Sequence, residues 1–177
     1  MFQSLFRQRG PKIVGRGLYE SAVERARDPL FYTGFGVADT VEGRFELYSL
    51  HVILLLHRLK GEGAQAGETA QALFDIFISQ LDHALREIGV GDLSVAKKMR
   101  KLGEAFYGRA KAYDAALDAE SAAELEALIG RTVFEAAGAA DRVAALAAYV
   151  RRVAAALAAE PLAAMLEGRV DWPDLIA

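Results

Sequence analysis

The sequence predicts an all-α fold, a single compact domain of six to eight packed helices. Three observations carry this. The chain is rich in Ala, the best helix former, and holds four Pro in 177 residues. Apolar residues recur at helical spacing in one segment after another. No segment shows the apolar–polar alternation of a half-buried strand. A hydrophobic content of 53% with 25% charged residues belongs to a folded chain rather than a disordered one, and the length suits one core.

Segment 1–12 sets apolar Phe2, Leu5 and Phe6 beside basic Arg7, Arg9 and Lys12. It lacks the apolar run of a secretory signal. It reads either as a short contact with a membrane surface or as a frayed terminus. The helical domain is expected over residues 13–177. Its first helix, Ile13–Arg27, puts Leu18, Ala22 and Ala26 at helical spacing and stops at Asp28-Pro29. "LFYTGFGVA" reads as an aromatic loop. Asp39 with Glu42 three residues later reads as a capping box, opening a helix to about Lys60. The "VILLL" run inside it falls well short of the roughly 20 apolar residues of a membrane span. "GEGAQAG" reads as a flexible break.

From Glu68 to Ile88, residues Ala70, Leu73, Phe74, Phe77, Leu81, Leu85 and Ile88 form one apolar stripe. Gly89 suits the left-handed position that ends such a helix. The next helix, about 94–117, aligns Val95, Met99, Leu102, Phe106, Tyr113 and Leu117, and Asp92 is its expected cap. Lys97, Arg100, Lys101, Glu104 and Lys111 point away from that stripe. Lys98 lies at its edge and Arg109 close to it. Ser121 and Glu124 read as a second capping box, with an interruption at Gly130 and helix continuing through "RTVFEAAG". Asp141–Glu160 has Val143, Leu146, Val150, Val153 and Leu157 at heptad-like spacing. Pro161 is placed to start a short last helix, and "GRVDWPDLIA" reads as irregular.

Chemistry is sparse. There is no Cys, hence no disulfide, thiolate nucleophile or cysteine metal site, which fits a reducing compartment. The three His stand in no zinc-protease or di-iron spacing. No nucleophile elbow or phosphate-binding lysine loop is present, and Gly34 with Gly36 lacks the strand and third glycine of a dinucleotide site. Glu42 with Glu46, and Asp75 with Asp82, read as solvated helix faces. His51, on its helix's apolar face, reads as a structural histidine. No catalytic residue, metal site or cofactor is expected.

The one concentration of charge is basic, in a chain of net charge −3. Lys97, Lys98, Arg100, Lys101, Arg109 and Lys111 have one acid, Glu104, among them. Three readings stand beside one another: a solvated face, a phosphate-binding surface for RNA or the ribosome, and a contact with an acidic protein or anionic membrane. Base stacking has only Tyr107 to use, and DNA is not expected as a partner. A further alternative is a small-molecule enzyme with an apolar pocket below "FYTGFG".

"DTVEGRFEL" (39–47), "REIGVGDLSVAKKM" (86–99) and "AFYGRAKAY" (105–113), with the spacing between them, resemble the ubiquinol–cytochrome c chaperone family. The resemblance runs from about Leu18 to near the C-terminus. It implies a non-enzymatic assembly factor that binds cytochrome b, or an intermediate containing it, while the ubiquinol–cytochrome c reductase is built. It further implies a second small assembly factor as partner and proximity to the ribosome. With no long Arg- and Ser-rich leader in view, the bacterial form is expected, in the cytoplasm or peripheral on the inner face of the membrane. The partner-binding residues expected on this basis are Arg44, Arg86, Asp92, Lys97, Lys98, Lys101, Tyr107 and Arg109.

Overall fold

The computed structural model describes residues 10–119, 122–135 and 139–175. Among them are eight helices: α1 (Pro11–Ala26), α2 (Leu30–Thr33), α3 (Val41–Leu59), α4 (Ala64–Glu87), α5 (Asp92–Asp118), α6 (Ala122–Thr132), α7 (Ala140–Ala159) and α8 (Leu162–Met165). The all-α expectation holds, and the described residues contain no strand. Segment 1–12 lies outside the described residues up to Arg9, as does Ser121 of the second expected capping box.

The hub is α3. Its second half, Leu47 to Leu59, carries so many apolar residues that no polar face remains, and Leu47, Leu50, Val52, Ile53, Leu54, Leu55 and Leu59 are all buried. A helix apolar all round must be covered all round. Here α1, α4, α5 and α7 pack against it, while α6 bridges α5 and α7. Helices α1 and α4 make the closest pairing. A Cβ on Gly15 would stand 2.9 Å from the Leu73 backbone nitrogen, so only glycine permits that approach.

Several boundaries differ from the sequence expectation. The cap of α3 is Thr40, whose Oγ1 accepts from the Gly43 amide at 3.1 Å. Asp39 instead receives the Arg44 guanidinium at 2.7 Å, so charge pairing outcompetes capping there. The "LFYTGFGVA" loop contains α2, and its Phe31, Phe35 and Val37 are buried. Phe31 and Phe35 meet Tyr149, and Phe31 also meets His51; these rings fill the space below "FYTGFG" where a small-molecule pocket was an alternative. The break before α4 is shorter than expected, since α4 resumes at Ala64. Gly130 does not interrupt α6, which ends at Thr132 and does not continue through "RTVFEAAG". Pro161 caps α8 rather than starting it.

Residues 168–175 are irregular, as expected, yet they are packed. Trp172 Nε1 donates to Ser21 Oγ at 2.8 Å, Arg25 donates to the Pro173 carbonyl, and Arg152 donates to the Leu175 carbonyl at 2.8 Å. Leu175 is buried. Under this tail, His51 is fully enclosed. Its Nδ1–H donates to the Leu47 carbonyl at 2.7 Å, and its Nε2 accepts from the Tyr149 hydroxyl at 3.0 Å. That hydroxyl in turn accepts from Arg25 Nε at 3.0 Å. Burial, with the Arg25 charge nearby, drives His51 down to about 4 against the Leu47 hydrogen bond, which favours the charged form. The structural reading of His51 is correct.

Candidate functional site

The basic residues lie on the hairpin of α4 and α5. Its turn is built by backbone geometry. Gly89 has φ 83°, the left-handed conformation that closes a helix. The Val90 amide bonds the Leu85 carbonyl and the Gly89 amide bonds the Arg86 carbonyl, both at 3.0 Å. This pair satisfies two carbonyls that the end of α4 leaves open. Asp92 does not cap α5. The cap position is Gly91, and Asp92 begins the first turn. Its carboxylate takes Arg86, which also binds Asp82 with a 2.7 Å contact from Nε. Arg86 thus ties the last turn of α4 to the first turn of α5 and holds the Asp82 carboxyl below its usual range.

The inward face of α5 is secured by Val95, Phe106, Tyr113 and Ala116. Phe106 packs its ring, tilted, against two rings of α4, 4.9 Å from Phe77 and 5.6 Å from Phe74 by ring centroids. Tyr107 touches Phe74 with its ring but stays 62% exposed. Lys97, Lys98, Arg100 and Lys101 are exposed, and none has an ion-pair partner among the described residues.

Two of the expected partner-binding residues stand apart from the hairpin's end. Arg109 turns toward α3 and grips Glu46 with two hydrogen bonds, the Nε one at 2.5 Å, while its guanidinium lies 5.8 Å from the centre of the Phe45 ring. Burial pushes the Glu46 carboxyl up, and Arg109 opposes that shift. This is an internal clamp, and Arg109 is better described as holding α5 onto α3 than as facing a partner. The reading of Glu46 as part of a solvated face is corrected with it. Arg44 sits at the corner of α2 and α3, paired with Asp39 and 5.6 Å from the Tyr32 ring centre. The outer part of the hairpin therefore gathers Arg86, Asp92, Lys97, Lys98, Lys101 and Tyr107, while Arg109 faces α3 and Arg44 lies at the α2–α3 corner.

Two residues on it escaped the sequence reading. Leu93 is 97% exposed and Ile88 is 62% exposed, on either side of the turn. The signal for Leu93 was present: at 100° per residue it falls on the same face as Lys97, Arg100 and Lys111, opposite Val95. Ile88 was assigned to the stripe of α4, but it is the helix's terminal cap, beyond the last turn that packs.

Residues 33–172 match the family described as ubiquinol–cytochrome C chaperone. The chain belongs to this family. Ubiquinol–cytochrome c chaperones are assembly chaperones of the reductase, and the matched region of this one contains the whole hairpin. A solved structure titled as the Cbp3 homolog from Brucella abortus superposes with a TM-score of 0.85 at 39% identity, covering 93% of this chaperone and 91% of that chain. The ubiquinol-cytochrome-c reductase complex assembly factor 1 of Xenopus laevis is 25% identical over 103 residues, 58% of this chaperone and 52% of that protein. The chain spans about half the length of that relative. Among the described residues no helix is long and apolar enough to cross a membrane, and no three His, Asp or Glu are grouped to hold a metal ion.

Proposed function

We propose that this chaperone is a non-enzymatic assembly factor that binds cytochrome b, or an early intermediate containing it, while the reductase is built. In this reading it works peripherally on the cytoplasmic face of the membrane, and the α4–α5 hairpin is its docking surface. Family membership supports the assembly role, and the name of the Xenopus laevis relative points to the same complex. The choice of surface rests on one observation. Several charges elsewhere are paired, as in Arg109–Glu46, Arg44–Asp39, Arg58–Glu62 and Lys60–Asp114, whereas Lys97, Lys98, Arg100 and Lys101 stand close together on α5, exposed and with no ion-pair partner among the described residues. Such a cluster repels itself, and an anionic surface relieves that repulsion.

The test is deletion of the gene in its host, followed by spectroscopic measurement of assembled cytochrome b in membranes. Loss of the signal, restored by the wild-type gene, is expected. Unchanged cytochrome b after deletion would remove the assembly role. If wild type rescues and a folded Lys97→Glu/Lys98→Glu/Lys101→Glu variant rescues equally, the hairpin is not the docking surface.

A further inference from the structure

Between His83 and Lys101 only Val95 is buried, so the end of the hairpin stands clear of the core. Its apolar and basic groups are ordered along the hairpin axis. Ile88 and Leu93 flank the turn, at the tip. Lys97, Lys98, Arg100 and Lys101 follow one to two turns back along α5, roughly 6–12 Å from Leu93 at a rise of 1.5 Å per residue. Of the acids at the tip, Asp82 and Asp92 share the single guanidinium of Arg86, and Glu87 lies 3.2 Å from His83.

We propose that this tip docks on a bilayer of anionic lipid, Ile88 and Leu93 entering the headgroup boundary while Lys97, Lys98, Arg100 and Lys101 meet the lipid phosphates. The proposal deepens the docking role given to the hairpin by naming what it first meets. Two exposed aliphatic side chains are disfavoured in water and favoured in the acyl boundary. Long basic side chains keep their charge at phosphate depth while their stems lie along apolar surface. Along α5, the order from Leu93 to Lys97, Lys98, Arg100 and Lys101 follows the order acyl boundary, then phosphate. In a chain of net charge −3, the four exposed cations close together on α5 favour presenting that stretch to an anionic surface. A single-stranded RNA would use aromatic stacking platforms. The tip offers two aliphatics instead, and Tyr107 lies farther back against Phe74.

The test is flotation of the full chain with phosphatidylcholine vesicles, with and without about a third phosphatidylglycerol, at low and high salt. Wild type is expected to float only with the anionic vesicles and to be released by salt. Ile88→Ser/Leu93→Ser should weaken binding about tenfold, and Lys97→Glu/Lys98→Glu/Lys101→Glu about a hundredfold or more, with each variant's helical circular dichroism and thermal midpoint as in wild type. Wild type that stays at the bottom with anionic vesicles overturns the proposal. So does flotation that neither variant changes, which would put the contact elsewhere on the chain. Tighter binding to a fluorescent single-stranded RNA than to vesicles, indifferent to Ile88→Ser/Leu93→Ser, assigns the cations to RNA and overturns it as well. No client is present in the vesicles, so failure here leaves the deletion phenotype standing, and absence of that phenotype leaves flotation intact.

Discussion

His51 shows how one side chain ties the pH response to the core. Its folded value of about 4 lies below the ordinary 6.5, because burial disfavours the charged ring. The unfolded chain therefore binds more protons between these two values, and His51 favours the folded state fully only above pH 6.5. That contribution falls by about 1.4 kcal/mol per pH unit as the solution is acidified through this window. Thermal midpoints of wild type and His51→Asn at pH 7 and pH 5 check this. The variant should be less stable at pH 7 and show a flatter pH dependence; parallel lines would show that the proton goes elsewhere. Glu46 and Arg109 answer a second question at this scale. Removing one partner leaves the other half-buried and unpaired, costing up to about 3 kcal/mol, less than for a fully enclosed pair. Arg109→Met should therefore destabilise markedly, and Glu46→Gln/Arg109→Met should recover part of the loss in urea melts. The helix angle already set Arg109 close to the apolar stripe. That an acid of α3 would reach it was not legible, because sequence spacing within one helix carries no information about which helix it faces.

At the scale of the element, α5 separates folding from docking. Phe106→Ala removes a ring held between Phe74 and Phe77 and should cost roughly 3–5 kcal/mol by denaturant melting. Lys97→Glu/Lys98→Glu/Lys101→Glu should leave the thermal midpoint nearly unchanged, since isolated surface changes stay within about 0.5 kcal/mol each. The inward position of Phe106 was legible from periodicity, which repeats over a helix of 27 residues and averages out local accidents. Ends of elements were less legible. The sequence suggests Asp39 with Glu42 as a capping box, whereas Thr40 caps α3 and Asp39 pairs with Arg44. Asp92 failed as a cap for the same reason, its carboxylate being taken by Arg86. Both cases show a long-reaching guanidinium overriding a local backbone preference. Ile88 falls outside the packed part of its stripe because a hydrophobic stripe says where an apolar face points, while only packing says how far along it the neighbour extends.

In the molecule as a whole, α3 is the member that every other large element uses, and its unbroken apolar run made its central place readable. The closing of the fold by residues 168–175 was not readable, since "GRVDWPDLIA" has no period. Its anchoring depends on a tryptophan ring and on backbone carbonyls that meet Arg25 and Arg152. Trp172→Ala, which loses the Ser21 hydrogen bond and the edge contact with His51, should lower stability by about 2–3 kcal/mol. It should also raise hydrogen exchange in α1 and at the His51 end of α3 while sparing the α4–α5 hairpin; uniform exchange increases would show that the tail is not a local clasp. The same clasp has a consequence for timing. Arg25 is synthesised early, and its hydrogen-bond partner Pro173 follows 148 residues later. A nascent chain must therefore carry the tail-facing side of α1 uncovered while those 148 residues are made. At synthesis speeds of about 5–20 residues per second that interval lasts roughly 7–30 seconds. The chaperone is, for that interval, an incompletely folded chain with apolar surface in need of protection.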